Sequence, residues 1–149
     1  PGFPDRISPW NPLYHAYDVV QPLGQADLQC VLDKLRNNPT PGNPNPATPG
    51  GTPNNAAVPG IADTNLVTSY TTTDLRTGGQ VIVNMTGPQS AFGPGYVARV
   101  VNNGVVHTYG EGAHAIQSFL VPSLVRTTAN ELVWGRQMKK FVDECTCKK

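Results

Sequence analysis

Asn103-Gly104 stands between two runs rich in strand-forming residues, Tyr96–Asn102 and Val105–Gly110, and nothing else in the sequence narrows the possible folds as far. A two-residue type I′ turn needs φ > 0 at both central positions, which Asn and Gly adopt cheaply, so the pair specifies a hairpin and its register. With the turn closed on two residues, Asn102 faces Val105, Val101 faces Val106, Val100 faces His107, Arg99 faces Thr108 and Ala98 faces Tyr109. Directly opposed residues of an antiparallel pair share a face. His107 and Tyr109 are therefore expected beside Ala98 and Val100, with Arg99 and Thr108 looking the other way.

Two further strands precede the hairpin. Leu66–Thr73 is rich in β-branched residues and alternates Leu66/Thr68/Tyr70 against Val67/Ser69/Thr71. After the turn Asp74–Gly79, Gln80–Thr86 forms the next strand, with Val81, Val83 and Met85 on one face. A helix is expected over 25–37, because Leu28, Val31, Leu32 and Leu35 fall on one stripe and Asn38-Pro39 ends it. A second helix over 129–145 carries the stripe Trp134, Met138, Phe141, Val142 and Cys145, and Thr128 with Glu131 reads as its capping box. The expected class is α+β: a four-stranded antiparallel meander flanked by an N-terminal and a C-terminal helix.

At 149 residues the chain is one domain by size. Its 15 Pro and 15 Gly concentrate in one place, and residues 38–60, NPTPGNPNPATPGGTPNNAAVPG, hold almost nothing apolar. Such a segment cannot offset its ordering entropy by burial, so a flexible Pro/Gly-rich loop is expected there. Residues 1–24 read as an irregular, proline-interrupted arm, and 61–149 as the sheet with its C-terminal helix. The first residue is Pro1 rather than Met, which suggests a piece of a longer protein. No secretory leader pattern and no apolar run of membrane-spanning length is present. Three cysteines (Cys30, Cys145, Cys147) make an odd count without metal-site spacing. A bridge from Cys30 to Cys145 or Cys147 would join the two helices in an oxidising compartment, but reduced thiols are the simpler expectation.

Net charge is +1 with pI about 8.2, less basic than a dedicated nucleic-acid-binding domain, for which pI above ~9 is usual. Phosphate loops, dinucleotide fingerprints, zinc-protease motifs and nucleophile elbows are absent. The usable groups are His107, His114, Tyr109, Glu111 and Arg99, with His15, Arg136 and Lys139 as further recruits. His107 and His114 lie at either end of the last strand and its Gly110–Gly112 turn. Two imidazoles suit metal-independent RNA cleavage: one takes the 2′-OH proton, the other protonates the leaving 5′-oxygen, and a cation steadies the phosphorane. In that reading His107 and His114 are the acid/base pair, Tyr109 positions substrate, and Arg99 contacts phosphate, with Arg136 and Lys139 as further substrate-binding cations. A second reading places His107, Tyr109 and Glu111 around the nicotinamide ribose of NAD. A third treats the histidines as incidental in a binding or structural module.

The stretch NMTGPQSAFGPGYVARVVNNGVVHTYGEG resembles the variable C-terminal toxin domains of bacterial RHS-type polymorphic toxins. The shared elements are Asn84 to Thr86, Pro94-Gly95, Val97 to Val100, Asn103-Gly104 and Gly110 to Gly112. The family pattern carries a histidine just before the Pro-Gly turn, where Gln89-Ser90 stand here; either the acting histidine lies elsewhere or this copy is inactive, and the family's catalytic histidine does not carry over directly. The resemblance implies an antibacterial effector released from a parent RHS-type shell protein. Such domains are delivered by a contact-dependent secretion system, attack RNA, DNA or NAD in the target-cell cytoplasm, and are neutralised by a cognate immunity protein; no cofactor is expected for this chain. The expected helix-on-sheet arrangement is also similar to barnase, EndoU and colicin-like ribonucleases.

Overall fold

The computed structural model describes residues 14–42, 44–55, 66–86, 95–113 and 131–146. The elements are β1 (Tyr14–Pro22), α1 (Leu28–Asn37), β2 (Thr52–Asn55), β3 (Leu66–Thr73), β4 (Gln80–Thr86), β5 (Gly95–Asn102) and β6 (Val105–Ala113). A π-helical turn (Glu131–Gly135) then runs into α2 (Arg136–Glu144). All strands pair antiparallel in one sheet of order β1-β6-β5-β4-β3-β2. The β5–β6 register matches the Asn-Gly expectation residue for residue, with Asn103 at φ 51° and Gly104 at φ 73°.

The class is α+β as expected, but the sheet has six strands rather than four. The first addition comes from the supposed irregular arm. Between Pro12 and Pro22 runs a proline-free stretch, and from Tyr14 on it pairs with β6, Tyr14↔Ala113 to Pro22↔Val105. Pro22 closes it at a sheet edge, where a missing N–H costs little. β6 correspondingly continues through Gly110–Ala113, which the sequence suggests is a turn. The glycine at 110 serves packing: the Tyr17 ring lies across it, and a Cβ there would collide with that ring. The second addition, β2, is a four-residue edge strand on β3 drawn from the Pro/Gly-rich segment.

Both helices cover one face of the sheet, called inner here. Asp27 caps α1 by accepting a hydrogen bond from the Cys30 N–H at 2.8 Å, so the helix starts later than its expected 25. Val31 and Leu35 of α1 are buried with Trp134, Met138, Phe141 and Val142 against Val19, Ile82 and Val106 of the sheet. Leu28, on the expected stripe, is 48% exposed. The two helices are also joined covalently: Cys30 and Cys145 form a disulfide across 115 residues of chain, with Cα atoms 5.7 Å apart, against the expectation of reduced thiols. Beside it the backbone pairs Ala26 with Thr146, and Lys34 meets Glu144 at 2.6 Å. Lys34 holds the Glu144 carboxyl below its ordinary range, so this small contribution is present at neutral pH and is lost as acid protonates Glu144. Thr128, the expected capping residue, lies outside the described residues. No helix among the described residues is long and apolar enough to cross a membrane.

The loop expected to be flexible is held in place over most of its length. Proline lacks an N–H, so this segment presents more acceptors than donors. Side chains of the sheet and of α2 supply the missing donors. Asn84 donates to the Pro39 carbonyl at 2.9 Å, Gln137 to the Thr40 carbonyl at 3.1 Å and Asn54 to the Asn45 carbonyl at 3.0 Å. Ser69 joins this set by donating to Asn84 at 2.6 Å and accepting from Asn54 at 2.9 Å. Residues 43 and 56–60 of the expected loop lie outside the described residues.

Arg99 stands at the centre of the inner face with no solvent exposure. Its Nε donates to Thr108 at 3.1 Å and its Nη1 to the Asn38 carbonyl, the C-cap of α1, at 3.2 Å. The guanidinium lies over Trp134 at 5.0 Å and near Phe141 at 5.9 Å. Burial pulls its pKa down to about 9, with Tyr17 acting in the opposite sense, so it is still a cation at neutral pH.

Two stability outcomes follow from these contacts. Replacing both bridged cysteines, Cys30→Ser with Cys145→Ser, should remove roughly 2–5 kcal/mol and lower the Tm by about 10 °C, as seen by circular dichroism. Arg99→Ala should cost roughly 2–4 kcal/mol in urea unfolding through the void it leaves and the loss of its hydrogen bonds to Thr108 and the Asn38 carbonyl. The same variant should open residues 38–55 to protease, whereas retention of wild-type resistance would refute the anchoring role.

Candidate functional site

The outer face of the sheet turns away from the helices. Register puts Val100, His107 and Val20 in one row across β5, β6 and β1, then Ala98, Tyr109 and Asp18, then Tyr96, Glu111 and Ala16. Chemistry-bearing side chains occur in all three rows: His107 in the first, Tyr109 and Asp18 in the second, Tyr96 and Glu111 in the third. The sequence alternation alone placed His107 and Tyr109 here; the neighbouring strands complete the group.

His107 is paired with a carboxylate. Its Nδ1 lies 3.2 Å from both carboxylate oxygens of Asp18, a diagonal cross-strand neighbour. This contact favours the tautomer with hydrogen on Nδ1, leaving Nε2 with the free lone pair. The side chains of His107 and Asp18 are 29% and 45% exposed, open enough to meet a ligand. Nothing local in the sequence points to Asp18: it lies in a proline-flanked stretch without clean alternation, 89 residues from its partner.

Further along β6, Glu111 is held by two phenols. Tyr96 donates to its Oε2 at 3.1 Å and Tyr109 to the same atom at 3.3 Å, with the two rings tilted by 42° and 6.2 Å apart. Tyr96 was not singled out from sequence, although the Tyr96↔Glu111 pairing follows from extending the hairpin register two residues further. At ~3.3 Å per strand residue, the Cα atoms of His107 and Glu111 are roughly 13 Å apart, with Tyr109 between them.

The expected substrate-binding cations are not part of this group. Arg99 is in the core on the opposite face, sealed between Thr108, Trp134 and the end of α1, so its expected phosphate contact is replaced by a structural role. The reason lies in strand alternation, since Arg99 is directly opposed to inward-facing Thr108. Arg136 and Lys139 belong to α2 on the helical layer, across the sheet from His107. Lys139 is engaged there by Asp143 at 2.7 Å. His114 lies outside the described residues. The backbone of His15 holds an inner-row register position opposite Gly112.

The outward-facing positions of the described strands thus carry Asp18 and Glu111 but no Lys or Arg. Among the described residues, no three His, Cys, Asp or Glu side chains come together in a way that could hold a metal ion. The arrangement offers an oriented imidazole with a free ring nitrogen, and beside it a carboxylate set among aromatic rings. Comparison with known proteins finds no match: no family model, no curated protein and no solved structure is similar to this chain.

Proposed function

We propose that this chain is the toxin domain of an RHS-type polymorphic effector and cleaves RNA by transesterification, with His107 moving the proton and Asp18 orienting it. The observation that supports this most is the Asp18–His107 pair, accessible on the sheet face opposite the helices. His107 Nε2 accepts the 2′-OH proton, the 2′-oxygen forms a bond to phosphorus, and the bond from phosphorus to the 5′-oxygen breaks. The leaving 5′-oxygen takes a proton, for which His114 is the proposed donor. The products are a 2′,3′-cyclic phosphate and a 5′-hydroxyl. The imidazolium created at His107, stabilised by Asp18, supplies the positive charge that the phosphorane needs. In this reading the parent shell protein delivers the domain to a competitor's cytoplasm, and a cognate immunity protein restrains it.

One observation favours the NAD-consuming alternative. The described outer face carries two carboxylates and no cation, which suits an electron-poor nicotinamide ribosyl centre better than a polyanion. Glu111 would then steady the positive charge that develops on the ribose as nicotinamide departs.

Purified chain incubated with RNA in EDTA, and separately with NAD, tests both. The expected outcome is RNA fragments ending in cyclic phosphate, with the rate lowered at least about 100-fold by His107→Ala and less severely by Asp18→Asn. NAD loss with intact RNA would transfer the assignment to the second reading. Folded protein inert in both assays, and harmless when expressed inside a bacterium without a partner, would overturn both.

A further inference from the structure

The reaction assigned to His107 builds negative charge on phosphate oxygens, and the outward positions of the described strands bring no lysine or arginine to meet it. Charge that develops in a transition state can also be met by neutral N–H donors aimed at it. The register shows where such a donor stands. Asp18 is opposed to Tyr109, two residues after His107 on β6, and Asn102 is opposed to Val105, two residues before it. Asp18, His107 and Asn102 therefore lie on one diagonal across β1, β6 and β5, all on the outer face. Sheet twist draws together diagonals of the same hand on both sides of a strand. The sense that brings Asp18 to His107 thus brings Asn102 toward it from the other side.

The imidazole is turned to match. Its Nδ1 faces Asp18, so Nε2, on the other side of the ring, faces away from β1 and toward the flank where Asn102 stands. Asn102 is exposed, and among the described residues none engages its side-chain amide. It is also held firmly, as the last residue of β5 before the Asn103-Gly104 turn that fixes the hairpin.

We propose that Asn102 is a catalytic residue whose amide N–H₂ donates to a non-bridging oxygen of the phosphodiester reacting at His107. This rests on the reading of His107 as the base of an RNA-cleaving site. The amide offers two donors and carries no charge. In the ground state such an exposed donor only exchanges water for phosphate. Its bond strengthens as the oxygen gains charge, so its effect falls on kcat more than on KM.

The test has a binding arm and a kinetic arm. Inorganic phosphate is titrated into the whole chain at about pH 6, and the Asn102 amide and His107 ring resonances are followed by NMR. Both sets should shift with one saturating curve. Asn102→Ala should weaken that binding about fivefold, and Asn102→Asp, which sets a carboxylate against the phosphate, should abolish it. Thermal unfolding matched within a few degrees shows that the variants keep the fold. In RNA cleavage, Asn102→Ala should lower kcat about 100-fold with KM nearly unchanged. An Asn102 amide that phosphate does not move overturns the proposal, as does Asn102→Ala protein that binds phosphate or cuts RNA like wild type. If phosphate binds as expected while RNA stays intact, the Asn102 contact stands and only the reaction assigned to His107 fails.

Discussion

A guanidinium buried without a carboxylate partner among the described residues holds the layers of this protein together. Arg99 reaches from the middle of the sheet to the end of α1, where the helix dipole and the C-cap carbonyl of Asn38 are both negative in character. The aromatic faces of Trp134 and Phe141 close over it from the other helical segment. Taking a cation out of water is costly, and its depressed pKa reports that cost. One donor, Nη2, has no partner among the described residues. What offsets the cost is the number of elements that one side chain joins: β5, β6 through Thr108, the end of α1, and the turn leading into α2.

The Pro/Gly-rich segment depends on the same principle. Its carbonyls would be stranded against the sheet if the inner face were wholly apolar, because proline gives the loop few N–H groups with which to pair them. The inner face is instead mixed, with Ile82 and Val106 beneath the helices and Asn84, Ser69 and Asn54 beneath the loop. Hydrophobic burial therefore secures the helices, and amide donors secure a segment that has little apolar surface to bury. A mutation that made this polar row apolar would raise hydrophobicity and weaken the fold, since each unmet buried carbonyl costs roughly 1–3 kcal/mol.

Much of this was legible from local chemistry. Asn103-Gly104 determined the β5–β6 register, and with it the placement of His107 and Tyr109 on one face and Arg99 on the other. The stripe from Trp134 to Cys145 located the second helix. What stayed hidden depends on contacts distant in sequence. Strand β1 is bracketed by prolines and lacks a clean apolar/polar alternation, so nothing local announces that it will pair with β6. Asp18 was hidden with it, because a carboxylate acquires meaning only from the neighbour it meets. The charge type of Arg99 suggested a ligand, yet strand alternation already sent it inward. Composition says little about the loop, because a segment poor in apolar residues can still be anchored through its carbonyls.

The site consequently inherits its geometry from an edge strand. Among the described residues β1 has a partner on one side only, yet it carries the carboxylate that orients His107. Edge strands fray most readily, so the restraints on β1 matter more to the chemistry than its position would suggest. Tyr17 lies over Gly110, and Val19 is buried against the turn before α2. Where the chain leaves β1, the Leu23 N–H bonds to the Gly104 carbonyl at 2.8 Å, and the Asp27 N–H to the Cys145 carbonyl at 2.9 Å. The disulfide follows at once, between Cys30 and Cys145. The strand is thus tied at its exit to the hairpin turn and to the end of α2, and it cannot leave the sheet freely while those ties hold. The covalent link on the helical side in this way secures, at a distance, the orientation of an imidazole on the opposite face.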